Sequence, residues 1–273
     1  MDPRRSTIVP TRTSSPDRAR TLLAAQGAAL VGGLADTDAA IAFATELIGE
    51  HCVRVVPQID VTQANQDAAN EKIASVVDDR GRRRVYNRPE ETLVAHNDGF
   101  GFGDYAPDHV FLFSERPCTI GGDTFLIDAL ELLDAITADD DEFADFVWNV
   151  PVDHTEPGFP IRNVNPIAGM VGGRPQVRCQ PFLAALPGPD EERHAAFVER
   201  WLQAVDEARL HGARFHLEAG EMACVDNYRV LHGRAPYVDP DRRLISIWGW
   251  STNAVMVPEQ LLDIVEPDAV AAS

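Results

Sequence analysis

Residues Gly220–Tyr237 read GEMACVDNYRVLHGRAPY. Apolar, β-compatible residues run up to His232, and Gly233 follows at once as a turn former. This places an imidazole at the end of a strand. A partner stands upstream in VAHNDGFGFGDYAPDHV (Val94–Val110), where His96 and Asp98 lie two residues apart. Side chains alternate faces along a strand, so residues i and i+2 point the same way and can reach one small ion. His96, Asp98 and His232 together supply two imidazoles and one carboxylate. Such a set leaves three positions of an octahedral ion open, which suits Fe(II) binding a co-substrate and oxygen together. The 134 positions between Asp98 and His232 are spanned if their strands are neighbours in a sheet.

Downstream, DRRLISIWGW (Asp241–Trp250) is a further strand. Arg243, Ile245, Ile247 and Gly249 share one face; Arg242, Leu244, Ser246, Trp248 and Trp250 share the other. A guanidinium on an apolar face suits an anionic organic ligand, because its fork makes a bidentate contact with a carboxylate. Two surface arginines at a strand start are the equal alternative.

The 273 residues as a whole are 45% hydrophobic and 25% charged, values of an ordinary globular protein with ample core. The net charge of −19 argues against nucleic acid, which needs clustered positive charge, and mainly serves solubility. Cys52, Cys118, Cys179 and Cys224 show no C-x-x-C spacing, so neither a zinc ribbon nor a disulfide scaffold is expected, and reduced cytoplasmic thiols fit. No apolar run reaches membrane-spanning length, and no apolar core follows the basic residues of the N-terminus. Residues 1–15 are expected to be a mobile leader, 16–265 a single domain and 266–273 a frayed tail.

Between these ends, SSPDRARTLLAAQG predicts a capped helix closed by Gly27, and AALVGGL a short buried strand. DTDAAIAFATELIGE predicts a second helix, with Asp36 or Thr37 as cap. RVVPQIDV is a candidate strand, and residues 62–84 a polar surface loop or lid. TLVAHND, HVFLFSE and GGDTFLID are short β-compatible segments, and ALELLDAIT a helix. A long irregular stretch, 151–188, contains the strand-like QVRCQPFL. PDEERHAAFVERWLQAVDEARL is the clearest amphipathic helix, and RFHLEAGEMACVDNYRVLHGR one strand region after it. The order suggests one α+β domain built on a β-barrel or sandwich.

HND, GGDTF, DNYRVLHGR and a following arginine, in this order, resemble the Fe(II)- and 2-oxoglutarate-dependent oxygenases of the taurine dioxygenase, γ-butyrobetaine hydroxylase and clavaminate synthase superfamily. The resemblance runs from AALVGGL to the last strand. It implies a distorted double-stranded β-helix (jelly-roll) core with flanking helices. It also implies that His96, Asp98 and His232 hold the iron, that Thr124 helps hold the distal carboxylate of 2-oxoglutarate, and that Arg243 makes the salt bridge to it. Some relatives carry a second arginine four positions further on; here that position is Ile247, which leaves the C1 carboxylate to iron or another donor. The chemistry implied is oxygen-dependent cleavage of 2-oxoglutarate to succinate and carbon dioxide, coupled to hydroxylation of an unactivated C–H. Asp98, where related halogenases carry Gly or Ala, favours hydroxylation.

HNDGFGFGDYAPDHVFLF is similar to the branch acting on free amino acids. Asn97, Asp104, Arg178 and Trp248 are the candidate substrate contacts, with Arg178 suited to a carboxylate and Asp104 to an amine. The expected partner is therefore a free amino acid or derivative, with no nucleic acid or membrane, and a homo-oligomer is left open. Desaturation, epimerisation or cyclisation by the same cofactors, a zinc hydrolase using the same triad, and a non-catalytic binding protein are the alternatives. His154 and His216 are rival ligands better suited to loop and core roles.

Overall fold

The computed structural model describes residues 6–49, 52–55, 89–157, 162–239 and 241–255. The expected lid at 62–84 and tail at 266–273 lie outside these residues.

Two helices open the chain as expected. α1 (Pro16–Gln26) starts where the Ser15 side chain accepts the Arg18 N–H, and stops at Gly27, whose φ of 77° returns its N–H to the Leu23 carbonyl. In α2 (Thr37–Ile48) the Asp36 carboxylate caps Ala39. The strands then assemble into two principal sheets. The larger has the order β1 (Thr11–Thr13), β2 (Ala28–Val31), β11 (Glu221–Asp226), β5 (His109–Arg116), β13 (Arg243–Trp250), β3 (Cys52–Val55). The smaller has the order β4 (Leu93–His96), β12 (Val230–Arg234), β6 (Thr124–Asp128). Among the described residues there are also two two-stranded sheets, β7 (Val152–Asp153) with β8 (Val164–Asn165) and β9 (Ala168–Val171) with β10 (Arg174–Val177).

Alternation along the strands sorts the core into three layers. The face carrying Ala29, Val31, Phe111, Phe113, Ile245 and Ile247 packs on α1 and α2 through Leu22, Leu23, Leu47 and Ile48. The opposite face, with Leu30, Val110, Leu112, Val225, Trp248 and Trp250, meets Leu126 and Val230 of the smaller sheet. The outer face of that smaller sheet, Phe125, Ile127 and Leu231, is covered by α3 (Ala129–Thr137), α4 (Asp141–Asn149) and α5 (Glu191–His211). The two sheets therefore face each other over a shared apolar layer, with helices outside both.

Three expectations need correction. Residues 6–13 do not form a mobile leader: β1 pairs in parallel with β2, Thr7 bridges to Ile127, and Ile8 enters the inter-sheet core. Burial of Ile8, worth roughly 1.5–3 kcal/mol, adds to the β1–β2 ladder in holding the segment. QVRCQPFL is a strand only to Val177, because the N–H groups of Arg178 and Cys179 turn to the Ile167 carbonyl and the Asn97 side chain instead of a ladder. The single strand region ending in HGR is two strands, β11 and β12, in different sheets. Helix α4, capped by Asp140, was not foreseen among the acids around it.

Candidate metal centre

β12 lies between β4 and β6, and its register sets His232 directly opposite His96. Gly233 explains the H-G-R spelling. A Cβ there would lie 2.3 Å from the Phe125 ring and 2.4 Å from the Leu93 carbonyl, so only glycine lets the strands close beside His232. The imidazole centroids are 4.5 Å apart. Asp98, one turn past β4, is positioned by Asn227, whose side chain accepts from the Asp98 N–H at 3.1 Å and donates to the Asp98 carbonyl at 2.9 Å and the Pro107 carbonyl at 2.8 Å.

The three side chains converge. Asp98 Oδ1 is 3.3 Å from His96 Nε2 and 3.7 Å from His232 Nε2. One donor atom from each residue falls within 4.8 Å of the others, the one such grouping among the described residues. Asp98 Oδ2 accepts from Trp248 Nε1 at 3.0 Å and from Ser246 Oγ at 3.3 Å. His96 Nδ1 donates to the Val94 carbonyl at 2.8 Å, which assigns the tautomer and leaves Nε2 to coordinate. His232 Nδ1 is buried with no hydrogen-bond partner among the described residues.

Electrostatics agree with a cation-seeking site. Burial works against the charged form of Asp98, but the two imidazoles and the Trp248 donor outweigh it and hold the carboxyl well below the usual range. Burial likewise opposes protonation of His96, yet Asp98 beside it raises its pKa overall. At His232 burial wins and lowers the value to about 4, with His96 adding to the effect. One carboxylate oxygen facing two imidazole nitrogens fits a divalent transition metal.

The other sequence candidates separate. Thr124 is buried in β6, opposite Arg234 in the ladder and on the face that looks between the sheets. Arg243 does not join the triad: it lies on the helix-facing side of β13 with Ile245 and Ile247, its side chain 46% exposed and paired with Glu115 at 2.8 Å. Arg242, just before β13, holds its guanidinium 4.8 Å from the centre of the Tyr237 ring, with Arg234 4.6 Å from the same ring. Ile247 is completely buried beneath α2, so its identity answers helix packing.

Asn97 is a strut: it donates to the Asn227 carbonyl and accepts the Cys179 N–H. Trp248 gives its N–H to Asp98 and packs edge-on against Phe102. Asp104 and Arg178 pair with each other at 2.8 Å. His154 binds the Asn165 carbonyl and His216 binds Asp123, both apart from the triad. Asn227 and Ser246 were missed, because an Asn in a turn and a Ser in a strand carry no chemical signal of their own.

Two facing sheets with a histidine–carboxylate–histidine centre define a class of metal-dependent enzyme. The chain matches the family model described as taurine catabolism dioxygenase TauD, TfdA family, over residues 9–248. It belongs to this family and is an iron- and 2-oxoglutarate-dependent dioxygenase. Solved structures similar to it include an asparagine oxygenase in complex with Fe(II), hydroxyasparagine and succinate (15% identity, 86% of this chain and 77% of that one, TM-score 0.57). They also include a mutant of the non-heme iron oxygenase OrfP in complex with hydroxyarginine (16% identity, 87% and 80%, TM-score 0.56). A third is PvcB from Pseudomonas aeruginosa (16% identity, 89% and 83%, TM-score 0.53). No curated protein sequence matches the chain. Among the described residues, no helix is long and apolar enough to cross a membrane.

Proposed function

We propose that the protein hydroxylates an unactivated C–H of a small amino-acid-like substrate, releasing succinate and carbon dioxide, on a distorted double-stranded β-helix formed by the two facing sheets. The observation that carries this reading is the convergence of His96, Asp98 and His232 on one point between those sheets. Iron bound there supplies the oxidation of 2-oxoglutarate and substrate by oxygen. The protein's part is to hold three donors in a rigid arc, with Asn227 and the Val94 carbonyl fixing two of them. Apolar walls from Phe102, Leu126, Val230 and Trp248 keep the layer beside it dry.

For the distal carboxylate of the co-substrate we assign Thr124 together with Arg242 in place of Arg243. Arg242 lies over the same Tyr237 ring as Arg234, which stands opposite Thr124 in the ladder and adds positive charge. The amino-acid class rests on the ligands of the asparagine oxygenase and OrfP structures and on Arg178, whose buried guanidinium suits a substrate carboxylate once Asp104 turns to an amine. Succinate formation with Fe(II), 2-oxoglutarate and oxygen, measured across free amino acids, tests the proposal. Stimulation by one amino acid with a product heavier by one oxygen is expected. Iron-loaded protein that forms no succinate with any of them would overturn it.

A further inference from the structure

The fold treats the two oxygens of Asp98 differently. Oδ1 faces the two imidazole nitrogens, whereas Oδ2 is taken by two donors on consecutive inward positions of β13, Ser246 and Trp248. Backbone register fixes both donors, since Ser246 pairs with Leu112 and Trp248 with Val110 across the β5–β13 ladder. Packing fixes the indole further: Trp248 is 8% exposed, edge-on to Phe102 at 6.3 Å and to Trp250 at 6.4 Å. Trp250 is in turn anchored to the Tyr105 carbonyl at 2.9 Å. Neither donor is free to follow Oδ2 if the carboxylate rotates.

We propose that Trp248 and Ser246 are positioning residues that restrict Asp98 to a single oxygen toward a bound metal, and so keep a coordination position open for oxygen. This rests on the triad reading above. The reason is a count of positions on an octahedral ion. Two imidazoles and one carboxylate oxygen would occupy three and leave three. A co-substrate chelating through two atoms would then leave one. A carboxylate swung round to bind through both oxygens would occupy that last position. Hydrogen bonds that hold Oδ2 away therefore act on oxygen access, and only secondarily on metal affinity.

Trp248→Phe, Ser246→Ala and the double variant test this, with circular dichroism reporting the fold. Anaerobic titration gives Fe(II) affinity, and nitric oxide, read by electron paramagnetic resonance on the Fe(II)–2-oxoglutarate complex, reports the open position without turnover. The expected result is Fe(II) affinity that holds or rises, the reverse of the roughly 10–100-fold loss of metal affinity that usually follows removal of a supporting contact, with nitric oxide affinity reduced by about tenfold or more in the double variant. Ser246→Ala, the smaller perturbation, should move in the same direction even if the indole variants fold poorly. Nitric oxide affinity unchanged in Ser246→Ala and in any folded Trp248 variant would overturn the inference. Failure of the unaltered chain to bind Fe(II) would instead overturn the triad reading itself.

Discussion

Asp98 and Asp108 are two inward-facing carboxylates beside histidines, ten positions apart in sequence and in very different surroundings. Around Asp108 every direction is filled. Arg174 donates to Oδ2 at 2.8 Å, Ser251 donates through its N–H at 2.8 Å and its hydroxyl at 2.5 Å, and His109 lies 3.2 Å from Oδ1. Burial pushes that carboxyl up, but His109 and Ser251 outweigh it and bring it to about 2. Arg174 continues to Asp226 at 2.7 Å, so this network ties β5, β10, β11 and the end of β13 together. Around Asp98 only Oδ2 is satisfied, and Oδ1 shares its corner with two nitrogens. The comparison teaches that a buried carboxylate is structural when its neighbours are donors in good geometry on both oxygens, and functional when one oxygen faces other electron-pair donors.

The contrast can be broken most sharply at the triad. His232→Ala or His96→Ala should drop succinate formation to background and abolish tight Fe(II) binding; full turnover in either variant would remove the metal assignment. Asp108→Asn should do the reverse. It should lower stability by about 3 kcal/mol, the order expected when one member of a buried charged network is lost, while folded protein still binds Fe(II). Chemical denaturation with parallel metal titration checks both halves.

A finer division separates the two arginines at the start of β13. Arg242→Ala should raise the KM for 2-oxoglutarate by roughly ten- to a hundredfold, the worth of a hydrogen bond to a charged group. Arg243→Ala should leave it unchanged, because the Arg243–Glu115 pair is half-exposed and its loss costs within about 1 kcal/mol of stability. Equal KM values in the two variants would return the distal carboxylate to another donor.

The smallest effect concerns His154, completely buried and held down to about 3 by burial and by Arg178, against an ordinary value of 6.5. The unfolded chain takes up a proton below 6.5, whereas the folded chain refuses it until about 3. Stability from this residue is thus fully present above pH 6.5 and falls as the pH drops toward 3. The slope reaches at most about 1.4 kcal/mol per pH unit. His154→Gln, which keeps a donor for the Asn165 carbonyl, should flatten denaturation midpoints measured across that range.

Much of this molecule was legible from neighbours in the chain. Ser15, Pro16 and Gly27 delimit α1, and Asp36 starts α2, because capping is a contact between residues three or four apart. The H-x-D spacing named His96 and Asp98 together, although β4 ends at His96 and Asp98 lies in the turn after it, and alternation split β13 into its two faces from Leu244 onward. The H-G-R ending of β12 marked the third member of the group, His232. Each of these readings needs only local periodicity and the geometry of a strand or a helix turn. Which face of β13 looks at the triad was a different kind of question. Arg243 and Arg242 are equivalent in the sequence, and only the packing of Ile245 and Ile247 against α1 and α2 turns the Arg243 side outward. Trp248 as a donor to Asp98, Asn227 as a clamp on the ligand loop, and the Asp104–Arg178 pair likewise join residues 74 to 150 positions apart. The chain by itself determined most of the elements and named His96, Asp98 and His232 as the candidate ligands. Tertiary structure decided which side chains surround them, because the cover over each face of a strand comes from segments remote in sequence, on which local pattern places no constraint.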